Sequence, residues 1–180
     1  KMKKTNVFFV RTHYYLIITM NAIFNLYIDH ENVIYYLQGG RIQEEYGSSL
    51  DFIKFKKVFK GEFGNKIFLN SILSQAPERF FFFQEHCSET KYLIHYLKKK
   101  KVTVSVLQDG TKPYHTYKKK RIFYCMIRDA FRDYVEMFKR KAIAPIPIKN
   151  NYIYANSNSI DEVWLTFPDK YKKIKKKKLV

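Results

Sequence analysis

Short runs that are apolar at almost every position alternate along this chain with longer stretches of helical spacing, and that alternation restricts the fold more than any other feature. The apolar runs are Asn6–Arg11 (NVFFVR), Asn32–Leu37 (NVIYYL), Arg79–Glu85 (RFFFFQE) and Val102–Leu107 (VTVSVL). Each has the length and the β-branched or aromatic content of a buried strand. Between the first two lies His13–Tyr27, apolar nearly all round, which reads as a helix covered on most sides, with Thr12 as its cap. Asn65–Gln75 shows helical spacing at Ile67, Phe68, Ile72 and Leu73, and Pro77 closes it. Ser88 caps a further helix with Tyr92, Leu93, Tyr96 and Leu97 on one face and lysines at its C-terminal end, where the helix dipole favours them.

Three more segments complete the pattern. Asp51–Phe59 alternates Ile53 and Phe55 with Lys54 and Lys56, as a strand does, although Ser48 followed by Asp51 also resembles a helix cap; strand is the reading taken. Lys120–Lys141 is a long amphipathic helix, and Ile160–Pro168 (IDEVWLTFP) ends in one more short strand, with Trp164 and Phe167 packing in the core. Strands that alternate with helices imply an α/β fold with a mostly parallel sheet and helices on both faces. In such a sheet ligands collect at the carboxyl ends of the strands, where Arg11-Thr12 and Gln108-Asp109-Gly110 would both lie.

With 180 residues, one domain is the expectation, and 46% hydrophobic content argues against disorder. The formal net charge of +18 first suggests a nucleic-acid partner, yet the excess comes from 27 Lys against 7 Arg. Arginine is the better fork for phosphates and the better partner for bases, so no nucleic acid is expected. A basic surface is drawn equally to anionic lipid or to an acidic sugar. Cys87 and Cys125 lack metal-ligand spacing and fit a reducing, cytoplasmic setting. Lys1-Met2-Lys3-Lys4 before an apolar stretch resembles a signal peptide, but Arg11, Thr12 and His13 interrupt it, and Asn21 and Asn25 spoil a membrane span. Lys1 ahead of Met2 suggests a fragment edge.

Asp109-Gly110 is open to two readings. As a turn, Asp bonds its own backbone and Gly takes a positive φ. As a site, the Asp109 carboxylate takes a proton from a sugar hydroxyl, Gly110 leaves room beside it, and Lys112, Lys118, Lys119, Lys120 and Arg121 surround it with positive charge. His115, six residues further on, is the histidine to watch. The Val10–Leu16 stretch (VRTHYYL) could likewise be a plain strand end, cap and helix start, or a helix N-terminus that receives an anion. No glycine-rich dinucleotide loop, P-loop, Gly-x-Ser-x-Gly or His-Glu-x-x-His is present.

In this order the pieces resemble the N-terminal half of bacterial GT-B sialyltransferases: glycosyltransferase family 52, the lipooligosaccharide sialyltransferases, and the capsular polysialyltransferases. That family opens with a strand and a motif like Arg-Thr-Pro-Tyr-x-Leu, here Arg11-Thr12-His13-Tyr14-Tyr15-Leu16, with His in place of Pro. It carries a strand ending in two acidic residues and Gly, here Gln108-Asp109-Gly110, followed loosely by Pro113-Tyr114. The resemblance spans nearly the whole chain. It implies a Rossmann-like acceptor-side domain over residues 1–168, with 169–180 a basic tail or a truncated linker to a C-terminal domain.

The implied reaction is inverting transfer of sialic acid from CMP-sialic acid to a glycan hydroxyl in capsule or lipooligosaccharide synthesis. It needs no metal and no further cofactor. Asp109 is the implied base, and Arg11, Thr12, His13, Gln108, Gly110 and His115 line the substrate. The implied partners are a glycan acceptor and a nucleotide-sugar donor bound through the C-terminal domain, with the protein in the cytoplasm or peripheral on the anionic inner membrane. The family's second catalytic element is a His-Pro pair, and no His here precedes Pro. The expectation is therefore half of an enzyme, inactive alone. The competing expectations are a basic nucleic-acid-binding module and a folded relic without function.

Overall fold

A computed structural model of the chain describes residues 4–37, 52–59, 66–83, 88–108, 127–128, 131, 134–135, 160–165 and 178–179. The strands are β1 (Thr5–Val10), β2 (Glu31–Leu37), β3 (Ile53–Val58), β4 (Arg79–Phe82), β5 (Thr103–Leu107), β6 (Glu162–Trp164) and β7 (Lys178–Leu179). The helices are α1 (His13–Leu26), α2 (Lys66–Leu73) and α3 (Ser88–Lys99). Residues 127, 128, 131, 134 and 135 are helical too, in the middle of the long helix expected from the sequence.

The strands form one sheet in the order β3-β2-β1-β4-β5-β6-β7. Every pairing among the described residues is parallel. This is a doubly wound, Rossmann-like α/β fold: the chain steps outward from β1 to β3, crosses back to β4, and steps outward the other way. The segment Asp51–Phe59 resolves as strand over Ile53–Val58, at one edge of the sheet. Its lysines guard that edge, with Lys54 paired to Glu31 and Lys56 set over the Tyr35 ring at 5.7 Å.

Two cores fill the faces. One packs α2 and α3, through Phe68, Ile72, Leu93 and Leu97, on Val7, Phe9, Val33, Phe80, Val104 and Val106. The other packs α1, through Tyr15, Leu16 and Ile23, on Phe8, Val10, Ile34, Phe81 and Leu107. Successive residues of β1 thus serve opposite cores, which is why NVFFVR has no polar alternation.

Two expectations need correction. Helix α1 is not covered on most sides: it buries Tyr15, Leu16, Thr19 and Ile23, while Tyr14, Ile17, Phe24 and Leu26 stand exposed. Trp164 is only half-buried at the rim of the α1 core, touching the rings of Tyr27 and Phe81. The last expected strand is confined to Glu162–Trp164, so Phe167 lies outside the described residues.

A polar row crosses the α1 face at the amino ends of the strands. Asn6 Nδ2 donates to Asn32 Oδ1 at 3.4 Å, and Asn32 Nδ2 donates to the Tyr27 carbonyl at 2.8 Å. Arg79 Nε lies 3.6 Å from the buried Glu162 carboxylate, which also accepts from Ser105 Oγ at 2.8 Å. Asp161 ties β6 to its neighbours, accepting from Val104 N at 2.8 Å and from Lys98 Nζ at 2.6 Å.

Candidate functional site

The β1–α1 turn is short. Strand β1 ends at Val10, Arg11 turns the chain, and Thr12 is already the N-cap of α1. Thr12 Oγ1 accepts from the Tyr15 N–H at 3.3 Å, which satisfies one of the helix's otherwise unpaired amides. Tyr15, in the first turn, is thereby aimed at the carboxyl end of β4, where its ring stacks on Phe83 with centroids 4.0 Å apart and planes 5° from parallel.

This point is where the winding of the sheet reverses, between β1 and β4, and where ligands of such sheets bind. A narrow cleft of about 10 Å³, room for about one water, opens here, lined by Phe9, Arg11, Tyr15, Phe82, Phe83 and Thr90. Thr90, in the first turn of α3, is buried. Two helices of opposite faces therefore start beside one cavity. Gln108, half-buried, follows β5 on the same edge. Arg11 and Gln108 thus flank the end of β4 from either side, about 10 Å apart at strand spacing.

Of the residues expected from the sequence, the structure brings Arg11, Thr12, His13 and Gln108 to this edge; Thr12 acts as a cap, and His13 opens α1. Asp109, Gly110 and His115 lie outside the described residues. Tyr15, Phe83 and Thr90 were not singled out as site residues. For Tyr15 a signal was present, since it lies within the Arg11–Leu16 stretch and three residues after the cap. Among the described residues no three His, Cys, Asp or Glu side chains gather as a metal site would require.

A dinucleotide is the usual guest of a sheet with this strand order, so its fit can be tested residue by residue. It needs glycines in the β1–α1 turn, so that the backbone can approach a pyrophosphate at the helix N-terminus, and an acid near the end of β2 for the ribose. Here that turn carries Arg11 and Thr12, the Tyr15 amide is taken by Thr12, and β2 ends in Tyr36 and Leu37. The Tyr15–Phe83 stack occupies the crevice itself. The residues present do not fit a dinucleotide.

No protein-family model matches the chain, and no curated protein matches its sequence. Among solved structures it is similar to a short-chain dehydrogenase/reductase from Veillonella parvula in complex with NADP. The TM-score is 0.50 at 13% identity, over 91% of this chain and 69% of that one. A dTDP-glucose 4,6-dehydratase from Bacillus anthracis in complex with NAD has a TM-score of 0.48 at 9% identity, over 64% of this chain and 40% of that one. At such identities the first likeness is one of fold alone, and the second carries no argument.

Proposed function

We propose that this domain is the acceptor-side half of a sialyltransferase-like glycosyltransferase. The observation that carries the reading is the edge shared by Arg11-Thr12 and Gln108, with Gln108 leading directly into Asp109. In this scheme the Asp109 carboxylate takes the proton of an acceptor hydroxyl. The freed oxygen attacks the anomeric carbon of sialic acid, the bond to CMP breaks with its electron pair leaving on the phosphate, and the configuration inverts. Arg11 and the lysines after Gly110 hold an acidic glycan near the base. A C-terminal domain supplies the donor site, and the lysine excess draws the protein to anionic lipid. Support also comes from the β1–α1 turn, which carries Arg11 and Thr12 where an oxidoreductase on this sheet would use glycines to approach its cofactor.

The test is amide chemical-shift mapping of the 180-residue chain with a sialylated oligosaccharide. Shifts at Arg11, Thr12 and Gln108 that vanish in R11A and D109N, with no saturable change from NADP, are the expected result. Shifts confined to other surfaces, or binding indifferent to both substitutions, would end this reading. Saturable NADP binding would replace it with an oxidoreductase.

A further inference from the structure

Residues 127, 128, 131, 134 and 135 belong to the long helix that the sequence expects over Lys120–Lys141. Ile127, Phe131 and Tyr134 follow one another at intervals of four and three, so they share one face of it. They stand 57%, 70% and 57% exposed. Three large side chains in one exposed row are a contact surface rather than scattered surface residues. In the sequence the same spacing takes in Phe123, Tyr124 and Phe138, while the acids Asp129, Asp133 and Glu136 fall outside it. Basic runs bracket the segment, Lys118-Lys119-Lys120-Arg121 before it and Lys139-Arg140-Lys141 after it. An aromatic row between clusters of cations is the composition of a helix that lies in the headgroup layer of an anionic membrane.

We propose that this row is the protein's membrane-docking surface, with Ile127, Phe131 and Tyr134 entering the headgroup layer of an anionic bilayer. Charge selects this partner over the alternatives. A chain of net charge +18 is drawn to acidic lipid, whereas a second copy carries the same charge and is repelled. A nucleic acid offers phosphates to the lysines but no apolar medium for Ile127; an acidic bilayer offers both. The exposed residues of α1 lack the basic half of the pattern, since no charged residue occurs between Tyr14 and Ile28. The inference gives a surface to the lipid attraction of the proposed function and rests on that part of it alone.

The experiment is flotation of the full chain with two kinds of vesicle, phosphatidylcholine alone and phosphatidylcholine mixed with phosphatidylglycerol. Phe131→Ala and Phe131→Glu are the disrupting variants, and Ile17→Glu on α1 is the control. The expected result is binding to the mixed vesicles that falls as salt is added, with little binding to phosphatidylcholine. F131A should weaken it about ten-fold, as for one apolar ring withdrawn from burial, F131E should weaken it further, and I17E should leave it unchanged. A Cys87→Ser/Cys125→Ser background carrying Tyr134→Cys with an environment-sensitive dye should shift to the blue on mixed vesicles alone. Circular dichroism checks that each variant folds. Absence of binding to the mixed vesicles, equal binding to both kinds, or binding lost in I17E and kept in F131E would overturn the proposal. So would a chain that ignores vesicles and binds an oligonucleotide or a second copy of itself. Glycan-induced shifts at Arg11 are read without vesicles, so the glycosyltransferase reading and this one can each fail alone.

Discussion

Tyr15 lies flat on Phe83, joining the first turn of α1 to the end of β4 across the point where the sheet reverses its winding. The contact does two things at once. It closes the apolar core of the α1 face, and it forms one wall of the pocket beside Arg11 and Thr90. Of the first amides of α1, that of Tyr15 is taken by the Thr12 side chain.

Removing the Tyr15 ring should therefore cost stability as well as shape. Tyr15→Ala is expected to destabilise the fold by about 3 kcal/mol, as for other buried aromatic truncations. Tyr15→Phe keeps the stack and should cost about 1 kcal/mol or less. Urea unfolding followed by circular dichroism measures both.

Glu162 is buried beside Arg79 and Ser105, while Arg79 also pairs with Glu78 at 3.1 Å, so its charge stays compensated when Glu162 is lost. Glu162→Ala should cost about 2 kcal/mol, as for loss of a hydrogen bond to a charged group, whereas Ser105→Ala, which removes one hydrogen bond and leaves the ion pair, should cost about 1 kcal/mol. A double-mutant cycle on Arg79 and Glu162 would show coupling between them, and additive single losses would count against it.

Alkaline stability reports on Tyr27. Burial pushes its phenol up from 10.0 to about 12; nearby Arg79 opposes the shift, and Glu162 and Glu78 add to it. The unfolded chain thus releases this proton first. The contribution of Tyr27 is complete below pH 10 and is lost as pH rises toward about 12. Tyr27→Phe should flatten the fall of the urea midpoint across that window.

His95 contributes on the acid side. Burial, and then the charge of Lys99, hold its imidazole below the ordinary value of 6.5. The unfolded chain therefore binds a proton before the folded one does. Its contribution is present above pH 6.5 and falls as the solution is acidified below it. His95→Gln should lose less stability than the parent between neutral and mildly acidic pH, measured as the shift in urea midpoint.

Lys101 takes a left-handed conformation, φ 61°, just after α3, where the Val102 N–H reaches back to the Leu97 carbonyl at 3.0 Å. That closure favours glycine. Lys101→Gly should raise stability by about 0.5–1 kcal/mol, read as a higher melting temperature.

Much of this architecture is legible in the sequence, because a strand buried on both faces has to be apolar at successive positions. NVFFVR and RFFFF show that pattern plainly, and Thr12 marks its helix start. Strand order is not legible, since β1 and β4 become neighbours only through the crossover from β3. The polar row of Asn6, Arg79, Ser105 and Glu162 went unread for a related reason: each is an isolated polar residue in its own strand, and they gain partners only when the registers align. The exposed half of α1 escaped because exposed and buried apolar residues look alike in a single sequence. At the site, Arg11, Thr12 and Gln108 were foreseen as edge residues from their places after strands, whereas the Tyr15–Phe83 contact joins residues 68 positions apart.

The guard on the β3 rim is electrostatic, and so it depends on the solution. Sulphated polysaccharides or concentrated phosphate would screen Lys54, Lys56 and Lys57, and with them the like-charge repulsion that keeps two such rims apart. Preparations kept free of multivalent anions should stay dispersed far longer than preparations made with them.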